Sequence, residues 1–142
     1  MVVADYSPET INIEQESDIV TARQVGRNMS KLFGFGTITQ SRIATSISEL
    51  ARNIYLYAGT GTITISPIER EGVIGLQITA NDSGPGIPDI RQALDDGYST
   101  SGALGAGLPG VRRMMDEFEI HSTLGEGTRV VVVKWSDQAK EE

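Results

Sequence analysis

The chain contains no cysteine in its 142 residues. Disulfides and thiolate-held metals are therefore excluded, and a reducing cytoplasm suits the composition. Aromatic residues are scarce at 6%, with one tryptophan, Trp135, and one histidine, His121. No stretch approaches the ~18 consecutive apolar residues of a membrane span. The segment Met1–Pro8 lacks a basic region followed by an apolar run, so it does not read as a secretory leader. Basic residues are outnumbered, 12 against 19 acidic ones, for a net charge of −7. Nucleic-acid binders carry a basic field instead. A nucleotide ligand stays open, because backbone amides and Mg²⁺ can hold phosphates within an acidic protein. The remaining composition, 39% hydrophobic and 22% charged, is that of an ordered globule. One domain over 1–142 is expected, with frayed ends at about 1–8 and 137–142.

Along the chain, Thr10–Glu14 alternates apolar and polar residues and predicts a short strand. Ser17 is placed to cap a helix, with Asp18 at its positive end. Ile19, Ala22, Val25, Met29 and Leu32 follow at helical spacing, and Phe33-Gly-Phe-Gly36 closes that helix. A second helix carries Ile43, Ile47, Leu50, Ile54 and Tyr57 on one apolar face and stops near Gly59. Thr62–Ile68 and Val73–Thr79 read as a hairpin across the turn Glu69–Gly72. From Asn81 to Gly107 the chain is rich in Gly, Ser, Asp and Pro, interrupted by a short helix at Ile90–Leu94. A last helix starts near Leu108-Pro109 and ends near Asp116-Glu117. Phe118–Thr123 and Thr128–Trp135 form a closing hairpin around Leu124–Gly127. The expected fold is an α+β two-layer sandwich, a mixed and mostly antiparallel sheet with helices on one face. It lacks the βαβ alternation of a Rossmann or P-loop protein.

Four features could carry chemistry. Glu49 and Asn53 are four residues apart on the second helix, so they share one face at the margin of its apolar stripe. A carboxylate there can serve as a general base, and an amide oxygen can coordinate a hard cation. On spacing alone, a solvated Glu and Asn are the simpler account. Asn81-Asp-Ser-Gly-Pro-Gly-Ile-Pro88 follows a strand, and its glycines allow close backbone approach to a ligand. Asp82 there can accept from an exocyclic amine. A plain turn uses the same residue types. Ser99–Leu108, with Gly102, Gly105 and Gly107, leads into a helix, where free N–H groups make an anion site. No Gly-Lys-Ser/Thr follows, so it is not a Walker sequence, and a flexible linker fits equally well. Gly125-Glu-Gly127-Thr128 on its own is a hairpin turn.

Taken in order, Glu-x-x-x-Asn, Asp-x-Gly-x-Gly, Gly-x-x-Gly-x-Gly-Leu and Gly-x-Gly-Thr resemble the GHKL superfamily over roughly Ile11–Trp135. That superfamily joins histidine kinases, Hsp90-like chaperones, type II topoisomerases and anti-sigma-factor kinases. The wording of Ser48–Ala58, Ser83–Ile90 and Gly105–Gly110 is similar to the short serine/threonine kinases of bacterial sigma-factor switches, especially the stressosome switch kinases. The resemblance implies a Bergerat-type fold and a protein serine/threonine kinase using ATP and Mg²⁺. It makes Glu49 the general base for the substrate hydroxyl and Asn53 the Mg²⁺ ligand. Asp82 would hold the adenine amino group with Gly86 beside it, and Thr128 would support that contact through water. The implied nucleotide set also contains Gly84, Ile87, Gly102, Gly105, Ala106, Gly107 and Leu108, with Gly97–Gly105 as a lid. The lid departs from its relatives at Ser99–Gly102. The implied partners are STAS-domain proteins as substrates and a PP2C-type phosphatase, in the cytoplasm, with no membrane or nucleic acid. The alternative is a non-catalytic ATP-responsive binding module, either anti-sigma or phosphatase-activating.

Other residues have simpler expectations. His121 lies in a strand and not on a dimerisation helix, so a structural role is expected rather than phosphoacceptance. Trp135, Met114 and Met115 read as core or edge packing. Arg52 is either a phosphate contact or a surface cation on the far side of its helix. Arg23, Arg27 and Lys31 form a positive stripe, either a solvated face or a docking surface for an acidic partner.

Overall fold

The computed structural model describes residues 6–95 and 107–136. Five strands form one sheet in the order β1-β2-β3-β5-β4. They are β1 (Glu9–Ile13), β2 (Gly61–Arg70), β3 (Val73–Asp82), β4 (Glu117–Thr123) and β5 (Gly127–Trp135). Every pairing is antiparallel, so the mixed sheet expected from the sequence is corrected to a purely antiparallel one among the described residues. The physical reason is connectivity. Short turns join β2 to β3 and β4 to β5, and neighbours linked in this way run in opposite directions. Helices α1 (Glu16–Leu32), α2 (Thr37–Asn53), α3 (Ile90–Ala93) and α4 (Gly107–Met114) complete the fold.

Strand alternation builds the core. Ile63 and Ile65 of β2, Leu76 and Ile78 of β3, and Val130 and Val132 of β5 turn to one face and are buried. They meet Ile43, Ile47, Leu50 and Ile54 from the second helix and its extension, all at most 2% exposed. Burying each such side chain contributes about 1.5–3 kcal/mol. This explains why α2 is buried along most of its length, with α1 and α4 packed beside it.

Local chemistry corrects the first helix start. The cap is Gln15, not Ser17. Asp18 reaches back and accepts the N–H groups of Glu14 at 2.9 Å and Gln15 at 3.0 Å, so its carboxylate satisfies donors left free ahead of the first turn. Leu32, expected on the apolar face, is half exposed, because the helix ends there and Gly34 turns the chain through φ 80°. In the β2–β3 turn the strands run further than their sequence suggests. Only Glu71 and Gly72 remain outside, both at positive φ, as a two-residue hairpin loop with matching twist requires.

Helices α1 and α2 approach closely at Gly26, where an added Cβ would overlap the buried Ile47 side chain. Two effects oppose each other on substitution. Leaving glycine helps a helix by about 1 kcal/mol, while overpacking costs about 1–3 kcal/mol. Gly26→Ala is therefore expected to be close to neutral. Gly26→Val, larger and β-branched, should lose about 1–3 kcal/mol, read as a lower urea midpoint at unchanged slope.

The far end of the sheet is tied by charge. Arg70 pairs with Glu117 at 2.9 Å and lies over the Trp135 ring at 4.7 Å, and the indole N–H donates to Glu117 at 2.9 Å. The buried Lys134 meets Asp116 at 3.2 Å. Trp135 therefore serves packing, and Met115 is buried in the core. His121 lies exposed on the edge strand and pairs with Glu119 at 3.1 Å.

Candidate functional site

The site begins where α2 changes pitch. After Asn53 the helix continues as one π-helical turn, Ile54–Ala58. The wider turn shifts the stripe. Ile54 stays in the core, whereas Tyr57, expected on the same apolar face, is 59% exposed at the rim of a cavity. π-Helical turns are frequent at functional sites. This one also brings Ala58 against the loop after β3, where an added Cβ on Gly84 would lie 2.6 Å from the Ala58 Cβ.

Opposite this turn, the strand register sets one row across the sheet. Gly61 of β2 faces Asp82 of β3, Asp82 faces Thr128 of β5, and Thr128 faces Ser122 of β4. All four lie on the helix-bearing face. Asp82 ends its strand and is half-buried. Its Oδ1 accepts the N–H of Gly84 at 2.9 Å and that of Thr128 at 3.2 Å. Its Oδ2 makes no hydrogen bond among the described residues, so one carboxylate oxygen is anchored and the other is available. Two glycines make the crossing of these loops possible. Gly86 has φ 81°, and a side chain there would strike the Thr123 carbonyl at 2.6 Å. Gly127 has φ 132°, and a Cβ there would overlap the Asp82 carbonyl.

Between the π-helical turn and this row lies a cavity of about 420 Å³. Its walls are largely apolar, with Leu50, Ile54, Ala80, Ile87, Leu108 and Val130, and its polar groups include Asn53, Asp82 and Thr128. A concave apolar slot with a few converging polar groups is the usual form of a small-ligand site. Asn53 makes no side-chain hydrogen bond among the described residues. Its amide oxygen is therefore uncommitted at the cavity wall, as a cation ligand would need to be. No group of three or more His, Asp or Glu side chains able to hold a metal occurs among the described residues. An amide oxygen so placed fits a cation that also takes oxygens from a bound ligand, the way Mg²⁺ is usually held with nucleotides.

Of the residues expected from the sequence, the cavity brings together Asn53, Asp82, Gly86, Ile87, Gly107, Leu108 and Thr128. Gly84 stands behind this wall and donates to Asp82. Gly102, Gly105 and Ala106, with the expected lid, lie outside the described residues. Glu49 is one helical turn before Asn53 and only 3% exposed, so it sits deeper than a stripe-margin position suggests. Arg52 forms an ion pair with it at 3.5 Å and is not on the far side of the helix. Sequence reasoning missed Ser122, whose Oγ accepts the Ile87 N–H at 2.7 Å and lies 2.8 Å from Thr128 Oγ1. The signal was present: Phe118, Ile120 and Ser122 alternate, which places Ser122 on the helix-bearing face.

Residues 38–138 match the family described as histidine kinase-, DNA gyrase B-, and HSP90-like ATPase, and the chain belongs to that family. Within it, the chain is 61% identical over 125 residues to the serine/threonine-protein kinase RsbT of Bacillus subtilis (strain 168), covering 88% of this chain and 94% of that one. It is 32% identical to the anti-sigma F factor of Geobacillus kaustophilus (strain HTA426), over 70% of this chain and 72% of that one. Among solved structures, the mycobacterial sensor histidine kinase MprB aligns with a TM-score of 0.51 at 14% identity, covering 92% of this chain and 98% of that one, which bears on the fold alone.

Proposed function

We propose that this protein transfers the γ-phosphoryl group of Mg-ATP to a serine or threonine of STAS-domain proteins in a bacterial stress-signalling switch, and that it also engages a PP2C-type phosphatase. That the chain is a serine/threonine-protein kinase rests on 61% identity to such a kinase across nearly the full length of both chains. The observation that supports the Mg-ATP part of the proposal is the meeting of Asn53, Asp82 and Thr128 in one cavity, with Glu49 a turn away on the same helix, while the STAS-domain and PP2C-type partners are what the resemblance to stressosome switch kinases implies. ATP would supply the transferable group, and Mg²⁺ would offset the charge on its phosphates.

The chain's own residues would divide the work. Asp82 Oδ2 accepts from the exocyclic amine of the base, and the apolar walls hold its faces and exclude water. Asn53 fixes the cation through its amide oxygen. Gly107 and Leu108, at the start of α4, offer backbone N–H groups to phosphate oxygens. Glu49, held by Arg52, takes the proton of the acceptor hydroxyl. Chemistry of this kind depends mainly on position and electrostatics rather than on covalent steps at the protein.

Incubation with STAS-domain partners, Mg²⁺ and γ-labelled ATP tests the proposal. Label on a serine or threonine is the expected result. Absence of transfer to any of them would leave the non-catalytic binding module in its place.

The docking side is suggested by charge. Residues 19–48 carry Arg23, Arg27, Lys31 and Arg42 and no acidic residue, within a chain of net charge −7. Arg23 and Lys31 are exposed, as are the apolar Val20 and Ile38. Such a surface suits an acidic partner and speeds its encounter. The double substitution Arg23→Glu with Lys31→Glu should slow partner association at least about tenfold at low salt, by analogy with charge-steered complexes. Nucleotide affinity should be unchanged. Surface resonance at two ionic strengths reads both expectations.

A further inference from the structure

We infer that Ser122 is a specificity-determining residue for the nucleobase, acting through Thr128; this rests on the proposed ATP site. A hydroxyl has one proton to donate and two lone pairs that accept. Ser122 Oγ already accepts the Ile87 N–H at 2.7 Å. Its proton has two destinations, Thr128 Oγ1 at 2.8 Å and the Gly127 carbonyl at 3.3 Å. Hydroxyl hydrogen bonds fall at about 2.5–3.0 Å, so the first is favoured.

When Ser122 donates to Thr128, the Thr128 proton is released from that pair. Thr128 lines the cavity, and its proton is free to point there. In the same row, Asp82 has committed Oδ1 to the N–H groups of Gly84 and Thr128, leaving Oδ2 as an acceptor. The cavity edge therefore presents an acceptor beside a donor. That is the complement of the adenine edge, in which N6–H donates and N1 accepts. Guanine and hypoxanthine show the reverse order, a carbonyl oxygen and an N–H. A water between Thr128 and the base keeps the same polarity, because a water that accepts from Thr128 donates onward. Ser122 is not among the residues that line the cavity, yet its hydroxyl fixes the direction in which Thr128 donates. Its bond to Ile87 also holds the loop that bears Gly86 against the cavity, which couples the shape of the slot to its polarity.

The test separates this role from simple support of the loop. Affinities for ATP and for 1-deaza-ATP, in which N1 is replaced by C–H, are measured on wild type, Ser122→Ala and Ser122→Thr. The wild type should prefer ATP by about three- to tenfold, the fold-change that one neutral hydrogen bond makes. In Ser122→Ala the Thr128 hydroxyl keeps its proton but loses the bond that fixes its direction, so the preference should fall without vanishing, and Ser122→Thr, which keeps the hydroxyl, should restore it. Thr128→Val removes the donor itself and should erase the preference altogether, with no further loss in the Ser122→Ala, Thr128→Val double variant. If Ser122→Ala weakens both nucleotides equally, Ser122 only supports the loop and the inference is wrong. A preference that persists in Thr128→Val also overturns it. Wild type that binds neither nucleotide would bring down the ATP site itself, an outcome distinct from both.

Discussion

Replacing Glu49 by glutamine is expected to lower phosphoryl transfer by about 10²–10⁴-fold, the usual range for loss of a general base, while ATP stays bound. Glutamine keeps the size of the side chain at a position that is 3% exposed, so no cavity opens beneath α2. What it removes is the charge that can take the acceptor proton and that holds Arg52 at 3.5 Å. The two readings differ in where the loss falls. If Glu49 is the base, the loss lies in the transfer rate, and single-turnover labelling of a proposed STAS-domain substrate shows it with saturating ATP. If Glu49 only packs the helix, transfer falls little and the unfolding midpoint moves instead. Partner binding should survive in the glutamine variant, since the cationic surface of α1 is untouched.

Asp82→Asn should weaken ATP binding by about 10²-fold, as befits loss of a charge-assisted hydrogen bond worth about 1.5–3 kcal/mol. The direction follows from the two oxygens. An asparagine can keep its carbonyl oxygen on the N–H groups of Gly84 and Thr128, now at 2.9 and 3.2 Å from Oδ1, so the loop and the β3–β5 row hold. Its amide nitrogen then replaces Oδ2 and points a donor at a donor. The variant should therefore melt close to wild type while losing its nucleotide. Loss of fold along with the nucleotide would instead make Asp82 a structural anchor.

Much of this was legible in the sequence. The period of α2 is plain because four isoleucines and leucines, Ile43, Ile47, Leu50 and Ile54, fall at steps of three and four. Asp82 was marked as a candidate by the glycines that follow it, and the structure shows close approaches at both Gly84 and Gly86 and a positive φ at Gly86. The π-helical turn was not legible, because the spacing of Tyr57 continues an α-helical stripe and only packing against the β2–β3 end reveals the wider pitch. Ser17 was the start the sequence suggested for α1, and the observed cap, Gln15, follows from where the Asp18 carboxylate finds backbone donors. The Glu49–Arg52 pair was open to reading at a spacing of three, but the burial that makes it consequential comes from the elements packed around α2. Ser122 shows a further limit. Its importance depends on a neighbour 35 residues away, Ile87, which no local pattern reports.

The most direct test of the nucleotide site is a calorimetric titration of ATP into the wild-type protein, with Mg²⁺ present and then with the metal chelated. Saturable binding of one ATP per chain that weakens when Mg²⁺ is removed is the expected result. No binding at millimolar ATP with Mg²⁺ present would contradict the assignment of the cavity between α2 and the Asp82 row.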